Sequence, residues 1–206
     1  MNCFVFDVDG TLIDSIESST EALRLAVEGL TPQPVTDRQL RRAFGMPSKE
    51  QLEVLGVADP DGTVEQRLSD IISEFGKHPA KLFPGVLETL QELRRRGIPL
   101  GVVTSKNDQE FADSFLPLGI EPYFTQCVNA SFTKRHKPFP DPLDKFFELT
   151  GLCKETAVYV GDTCYDASCA HAAGVRFALA GWGCAFPDGI EADFYLDKPG
   201  DLLKLL

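Results

Sequence analysis

What the chain does not have narrows it first. None of its six cysteines (Cys3, Cys127, Cys153, Cys164, Cys169, Cys184) stands in a Cys-x-x-Cys pair, and no signal peptide precedes Cys3. Free thiols in a reducing compartment, behaving as small hydrophobes, are the expectation. No apolar run approaches the length of a membrane span. Internal repeats and low-complexity tracts are absent. Positive charge is scarce, with 20 Lys and Arg against 31 Asp and Glu for a net −11. A nucleic-acid-binding surface shows the opposite bias, and this field repels an anionic substrate. Any such substrate must be drawn in by a few placed cations and a metal ion. The expected protein is soluble and cytoplasmic, without a nucleic-acid or membrane partner. Its oligomeric state, monomer or homodimer, stays open.

At 206 residues the chain fits one α/β domain with a modest insertion, or two small domains. It is organised around Phe4-Val5-Phe6-Asp7-Val8-Asp9-Gly10-Thr11. The apolar start reads as a strand buried on both faces. Residues i and i+2 of an extended chain point the same way, roughly 7 Å apart at ~3.3 Å per residue. Asp7 and Asp9 are therefore expected to reach one small volume beyond the strand's carboxyl end, where open α/β sheets bind ligands. Two acids there need a shared proton or a cation. Gly10 frees the turn, and Thr11 adds a hydroxyl and an N–H.

From there the pattern is helical, over 15–30, 37–44 with Thr36 as N-cap, 48–55 and 64–75, with no strand before residue 82. The expected organisation is a core of residues 1–14 and 82–206 with a helical cap of 15–81 inserted after the first strand. Then strands and helices alternate. Strands are expected at 98–103, 124–128, 156–160, 175–179 and 194–196. Helices are expected at 86–96, 108–116, 142–150 with Asp141 as N-cap, and 164–173. The fold class is α/β, a Rossmann-like doubly wound parallel sheet.

Three more stretches add chemistry at strand ends. Thr104-Ser105-Lys106 offers a hydroxyl and successive N–H groups, an anion cradle where a helix follows. Lys137 stands in Lys137-Pro138-Phe139-Pro140-Asp141, where two prolines hold its ammonium in place; a fixed cation there neutralises developing charge. Gly161-Asp162-Thr163-Cys164-Tyr165-Asp166 brings two further acids. Each stretch alone also reads as ordinary structure: a capped turn, a solvated basic loop, acids at a helix start. Four such coincidences at strand ends favour function. Four converging carboxylates demand a hard cation, and oxygen-only ligands with room for water suit Mg²⁺.

With those residues together, the sequence resembles the haloacid dehalogenase superfamily of phosphohydrolases, nearest the phosphoglycolate phosphatase and β-phosphoglucomutase-like subgroup. Asp7-Val8-Asp9-Gly10-Thr11, Thr104, Lys137 and Gly161-Asp162 with Asp166 match its four motifs. Phe139 departs from the small residue usual between those prolines. The resemblance implies an Mg²⁺-dependent phosphatase for a small-molecule phosphate ester. Asp7 is then the nucleophile that forms an aspartyl-phosphate, and Asp9 the acid and base. Asp7, the Asp9 carbonyl and Asp162 hold the metal, and Asp166 braces the loop. Thr104, the Ser105 N–H and Lys137 bind the phosphoryl group, beside Gly10 and Thr11. A substrate with a second anion, such as phosphoglycolate, needs a cap cation, for which Arg41, Arg42 and Lys49 are the candidates. A sugar-phosphate mutase shares the whole core constellation. A phospho-acceptor signalling domain would lack the helical insertion and the Asp9 acid, and an inactive binding module would have lost a group.

Overall fold

The computed structural model describes residues 1–76 and 81–206. Six strands form one sheet in the order β3-β2-β1-β4-β5-β6, every neighbouring pair parallel. They are β1 (Cys3–Phe6), β2 (Leu100–Val103), β3 (Gln126–Val128), β4 (Ala157–Gly161), β5 (Arg176–Ala180) and β6 (Phe194–Leu196). The chain runs outward from β1 to β3, then returns to β4 on the other side of β1. The carboxyl ends of β1 and β4 therefore flank the switch point where such sheets open a crevice.

The edge strands β3 and β6 are partly exposed, while the central strands β1, β2, β4 and β5 are buried on both faces, which explains their apolar runs. Alternation sorts them: Phe4 and Phe6 of β1 join one core cluster, Cys3 and Val5 the other. Helix α5 (Val86–Arg95) covers the first face through Val86, Leu90 and Leu93. Helices α7 (Asp141–Thr150) and α8 (Cys164–Ala173) cover the second. Helix α6 (Asp108–Ser114) follows β2 and is capped by Asn107.

Between β1 and α5 the described chain has no strand beyond isolated bridges of Ile13 with Asp9 and Leu82, and its elements are helices: α1 (Ile16–Val27), α2 (Asp37–Ala43), α3 (Ser48–Val54) and α4 (Thr63–Gly76). They pack round a cluster of their own, with Leu23, Leu40, Leu52 and Leu68 buried. Burying each such leucine contributes about 1.5–3 kcal/mol. Thr36 caps α2 in a reciprocal box with Gln39. The two crossings lie side by side, since Asp14 N–H donates to the Lys81 carbonyl (2.9 Å) and Phe83 N–H to Leu12 (3.0 Å). Residues 77–80 of the expected cap lie outside the described residues.

Several expected boundaries move for local reasons. Ile98 N–H bonds to the Leu93 carbonyl at the end of α5 (3.1 Å), so the strand starts only at Leu100. Asp141 is the first residue of α7, not its N-cap; Pro140 holds that position without a side-chain bond, and Asp141 accepts from Arg135 instead (2.9 Å). The 108–116 helix stops at Ser114, where Pro117 begins to impose a 3₁₀ turn, Leu116–Leu118. The strand expected from 124 starts at Gln126, because Phe124 still caps the preceding 3₁₀ turn.

Candidate active site

Pairing carries Asp7 past the end of β1, its N–H bonded to the Val160 carbonyl (2.9 Å). The chain then curls, with Leu12 and Ile13 N–H both on the Val8 carbonyl. Gly10 makes the curl at φ +77°, and a Cβ there would sit 2.2 Å from an Asp162 oxygen. Only glycine meets both demands. Thr11 is fully buried and donates to Asp162 Oδ1 (3.1 Å), while the Trp182 indole N–H donates to the Thr11 carbonyl (2.9 Å). Gly10 and Thr11 thus hold the loop together and do not line the cavity beside it.

Asp7 and Asp9 line one cavity of about 120 Å³ but face different partners. Asp7 Oδ1 accepts from Lys137 Nζ (2.7 Å). Asp9 accepts from Ser15 Oγ (2.7 Å) and pairs with Lys106 Nζ (2.8 Å). The acidic cluster is accordingly three carboxylates, Asp7, Asp162 and Asp166, with one oxygen of each within 4.8 Å of the others. The expectation of four converging side chains is corrected here: the Ser15 and Lys106 contacts turn the Asp9 carboxylate aside.

Asp166 is saturated. Lys137 Nζ (2.7 Å) and the Tyr159 hydroxyl (3.1 Å) lie on Oδ1, and the Thr163 N–H (3.0 Å) and Oγ1 (2.5 Å) on Oδ2. Thr163, rather than Asp162, is the N-cap of α8. Lys137 spends its three donors on Asp7, Asp166 and the Tyr159 oxygen (3.3 Å). Burial pushes the Asp7 carboxyl up; Lys137 opposes this, Asp166 adds to it, and it ends at about 7. Burial, Asp166 and Asp7 together push Asp162 well above the carboxylate range. Lys137 alone does not balance three buried acids.

That imbalance tests the fit of a metal. Asp7 and Asp162 each retain an oxygen that no protein donor takes among the described residues. Hard oxygen donors in a small buried set match Mg²⁺.

Thr104 is buried at the end of β2 and lines the cavity with exposed Ser105. The facing wall comes from the insertion: Ser19, the run Phe44–Ser48, Gln51 and Ile72. None of the three expected cap cations reaches it. Arg41 pairs with Glu17, Arg41 and Arg42 line a neighbouring cleft, and Lys49 is exposed and lines neither.

Residues 4–180 match the model of the haloacid dehalogenase-like hydrolases. The chain belongs to that family. Its relatives include the phosphoglycolate phosphatase of Aquifex aeolicus, 29% identical over all of this chain and 97% of that protein. The pyrophosphatase PpaX of Bacillus cereus is 27% identical over all of this chain and 96% of its own. A crystal structure of a candidate phosphoglycolate phosphatase from Lactobacillus plantarum superimposes with a TM-score of 0.92. That pair is 26% identical, covering 100% of this chain and 99% of the other. This hydrolase is thus an enzyme of the haloacid dehalogenase family with its whole length represented among relatives.

Two side chains at the site went unassigned in the sequence. Lys106 stands in the Thr104-Ser105-Lys106 cradle, where only the hydroxyl and the N–H groups were given a role; burial alone would pull its ammonium down, and Asp9 first, with Glu110 and Asp7, more than offsets that. Tyr159 places a hydroxyl inside an otherwise apolar strand, within reach of the Val103 carbonyl (2.9 Å), Asp166 and Lys137. A lone hydroxyl in such a run was the available signal.

Proposed function

We propose that this hydrolase is an Mg²⁺-dependent phosphatase that cleaves a small phosphorylated metabolite, phosphoglycolate-like in size, through an aspartyl-phosphate on Asp7. The observation that carries this is Asp7 itself: a buried carboxylate held by Lys137 at 2.7 Å, facing a cavity of about 120 Å³ that Asp9 shares. A held, desolvated carboxylate is a competent nucleophile. Residues 15–81 act as a cap over a core of 1–14 and 82–206, and the cap closes the cavity with neutral side chains.

A carboxylate oxygen of Asp7 attacks phosphorus as the bond to the ester oxygen breaks. Asp9 delivers a proton to that leaving oxygen, then takes one from the water that attacks the phosphoryl group on Asp7. To do so Asp9 gives up its Ser15 or Lys106 contact. The Thr104 hydroxyl, the Ser105 N–H and Lys137 bind the phosphoryl oxygens, Lys137 giving up its long Tyr159 contact (3.3 Å) to do so. Asp7, the Asp9 carbonyl and Asp162 would hold Mg²⁺, which supplies charge neutralisation at the phosphoryl group. Asp166 positions Lys137 and the loop. Lys106, a core residue, is the cation placed to meet a second anion.

A second reading rests on Ser48 and Gln51 in the cap wall. Neutral hydrogen-bonding groups suit sugar hydroxyls, so a β-phosphoglucomutase-type sugar-phosphate mutase or sugar phosphatase is the alternative. A panel containing phosphoglycolate, pyrophosphate and hexose phosphates, assayed with Mg²⁺ for inorganic phosphate, separates them. Steady release from a small ester supports the phosphatase. Isomerisation of a hexose phosphate without release supports the mutase.

A further inference from the structure

Beyond the contact between insertion and core lies a second cleft, of about 620 Å³. That is within the size range of cofactor and small-molecule sites. The contact itself is close: a Cβ on Gly45 would sit 2.4 Å from Thr163 Cγ2. Phe44, Met46 and Thr163 border both cavities, so they stand between this cleft and Asp7.

Arg38 and Arg42 of α2 line the cleft. Four residues apart on a helix, they are neighbours on one face, and like charges so placed repel. Their neighbours on the insertion are neutralised, Arg41 by Glu17 and Arg24 by Glu21 and Asp37. Among the described residues no acid pairs with either Arg38 or Arg42, although Asp162 and Asp188 line the cleft too and the molecule carries −11. Aromatic surface lies within the same cleft, from Phe44, Tyr165 and half-exposed Phe186. Adjacent guanidinium forks suit adjacent phosphates. Exposed rings suit a planar base.

We propose that this cleft is a binding site for a nucleoside diphosphate, with its phosphates on Arg38 and Arg42 and its base against Phe186. The ligand is an effector rather than a substrate, because Asp7, Asp9, Thr104 and Lys137 all line the other cavity and none of them lines this cleft, which reaches the acidic cluster only at Asp162. It bridges the insertion and the core loop 185–190, and so bears on the wall of the neighbouring cavity. The test is calorimetric titration of the full-length, Mg²⁺-free protein with ADP, which reads binding and not hydrolysis. Saturable one-site binding is expected, weakened about tenfold to a hundredfold in an Arg38→Ala/Arg42→Ala double variant, as for loss of hydrogen bonds to charged groups. Phe186→Ala weakens it further, and inorganic phosphate binds less tightly than ADP. No saturable ADP binding, or equal affinity in the correctly folded double variant, overturns the proposal.

Discussion

Lys137 shows how few charges keep the site intact. Its ammonium sits between two buried carboxylates, each at 2.7 Å. Lys137→Met leaves Asp7 and Asp166 buried without that cation, an arrangement that costs about 3–5 kcal/mol. Urea unfolding of the Mg²⁺-free variant is expected to show that loss, and added Mg²⁺ to restore part of it. A variant as stable as wild type without metal would contradict the pairing. Asp7 carries the pH dependence. Its carboxyl is raised from an ordinary 3.8 to about 7 by burial first, then by Asp166 against Lys137. A raised group contributes stability in full below its unfolded value and loses it as pH climbs through the folded one. The metal-free protein should therefore lose stability, relative to Asp7→Asn, between about pH 4 and 7. Mg²⁺ should stabilise wild type more at pH 8 than at pH 5.5, because protons compete for the same oxygens. Thermal melts at both pH values, with and without metal, check this; a metal effect indifferent to pH would count against it. These residues were legible because strand ends and short motifs place them. The Asp9 rotamer was not, because Ser15 and Lys106 reach it from other elements.

At the scale of elements, the α2–α3 loop is one place where insertion and core meet, another being α4 on α6, where the Ser73 hydroxyl donates to Asp113 (2.7 Å). Gly45 in the α2–α3 loop has φ +79° and its missing side chain leaves room for Thr163. Gly45→Ala combines a left-handed strain with a clash, while the insertion's own cluster at Leu40 and Leu52 stays intact. Catalytic efficiency on a small ester should fall about tenfold, with little change in melting temperature. Thr163→Ser removes the clashing methyl and should recover part of the loss; wild-type efficiency in the single variant would show that the contact does not matter. Helical periodicity announced the four insertion helices and the break at Gly45-Met46-Pro47. It did not reveal which face of α2 meets the core. Leu40 is buried as its spacing requires, but Ala43 and not Phe44 completes the buried stripe, Phe44 instead lining both cavities, and Arg41 and Arg42 fall beside the second cleft. Helix caps were read well where a side chain decides, as at Thr36, and missed where none does, as at Pro140.

For the whole molecule, the parallel sense of the sheet is what alternating strands and helices dictate, since parallel strands require crossovers, whereas the strand order was not read from the sequence. The meeting of β1 and β4 at the switch point then brings Asp7 to Asp162 across 155 residues of chain. Net charge acts at the same scale. A field of −11 opposes an approaching anion, and salt shortens its reach to about 8 Å at 0.15 M. Raising ionic strength from about 0.01 M, where that reach is about 30 Å, to 0.15 M should therefore increase kcat/KM for phosphoglycolate. A decrease would mean that the local lysines outweigh the global charge. The most direct test of the account is chemical capture of the intermediate. Enzyme, Mg²⁺ and a turned-over ester are mixed, quenched in acid within one turnover, digested and read by mass spectrometry. The peptide bearing Asp7 should carry one phosphoryl group, absent in Asp7→Asn, which should also release no phosphate. Steady phosphate release with that peptide unmodified at every quench time, or turnover persisting in Asp7→Asn, would contradict the mechanism.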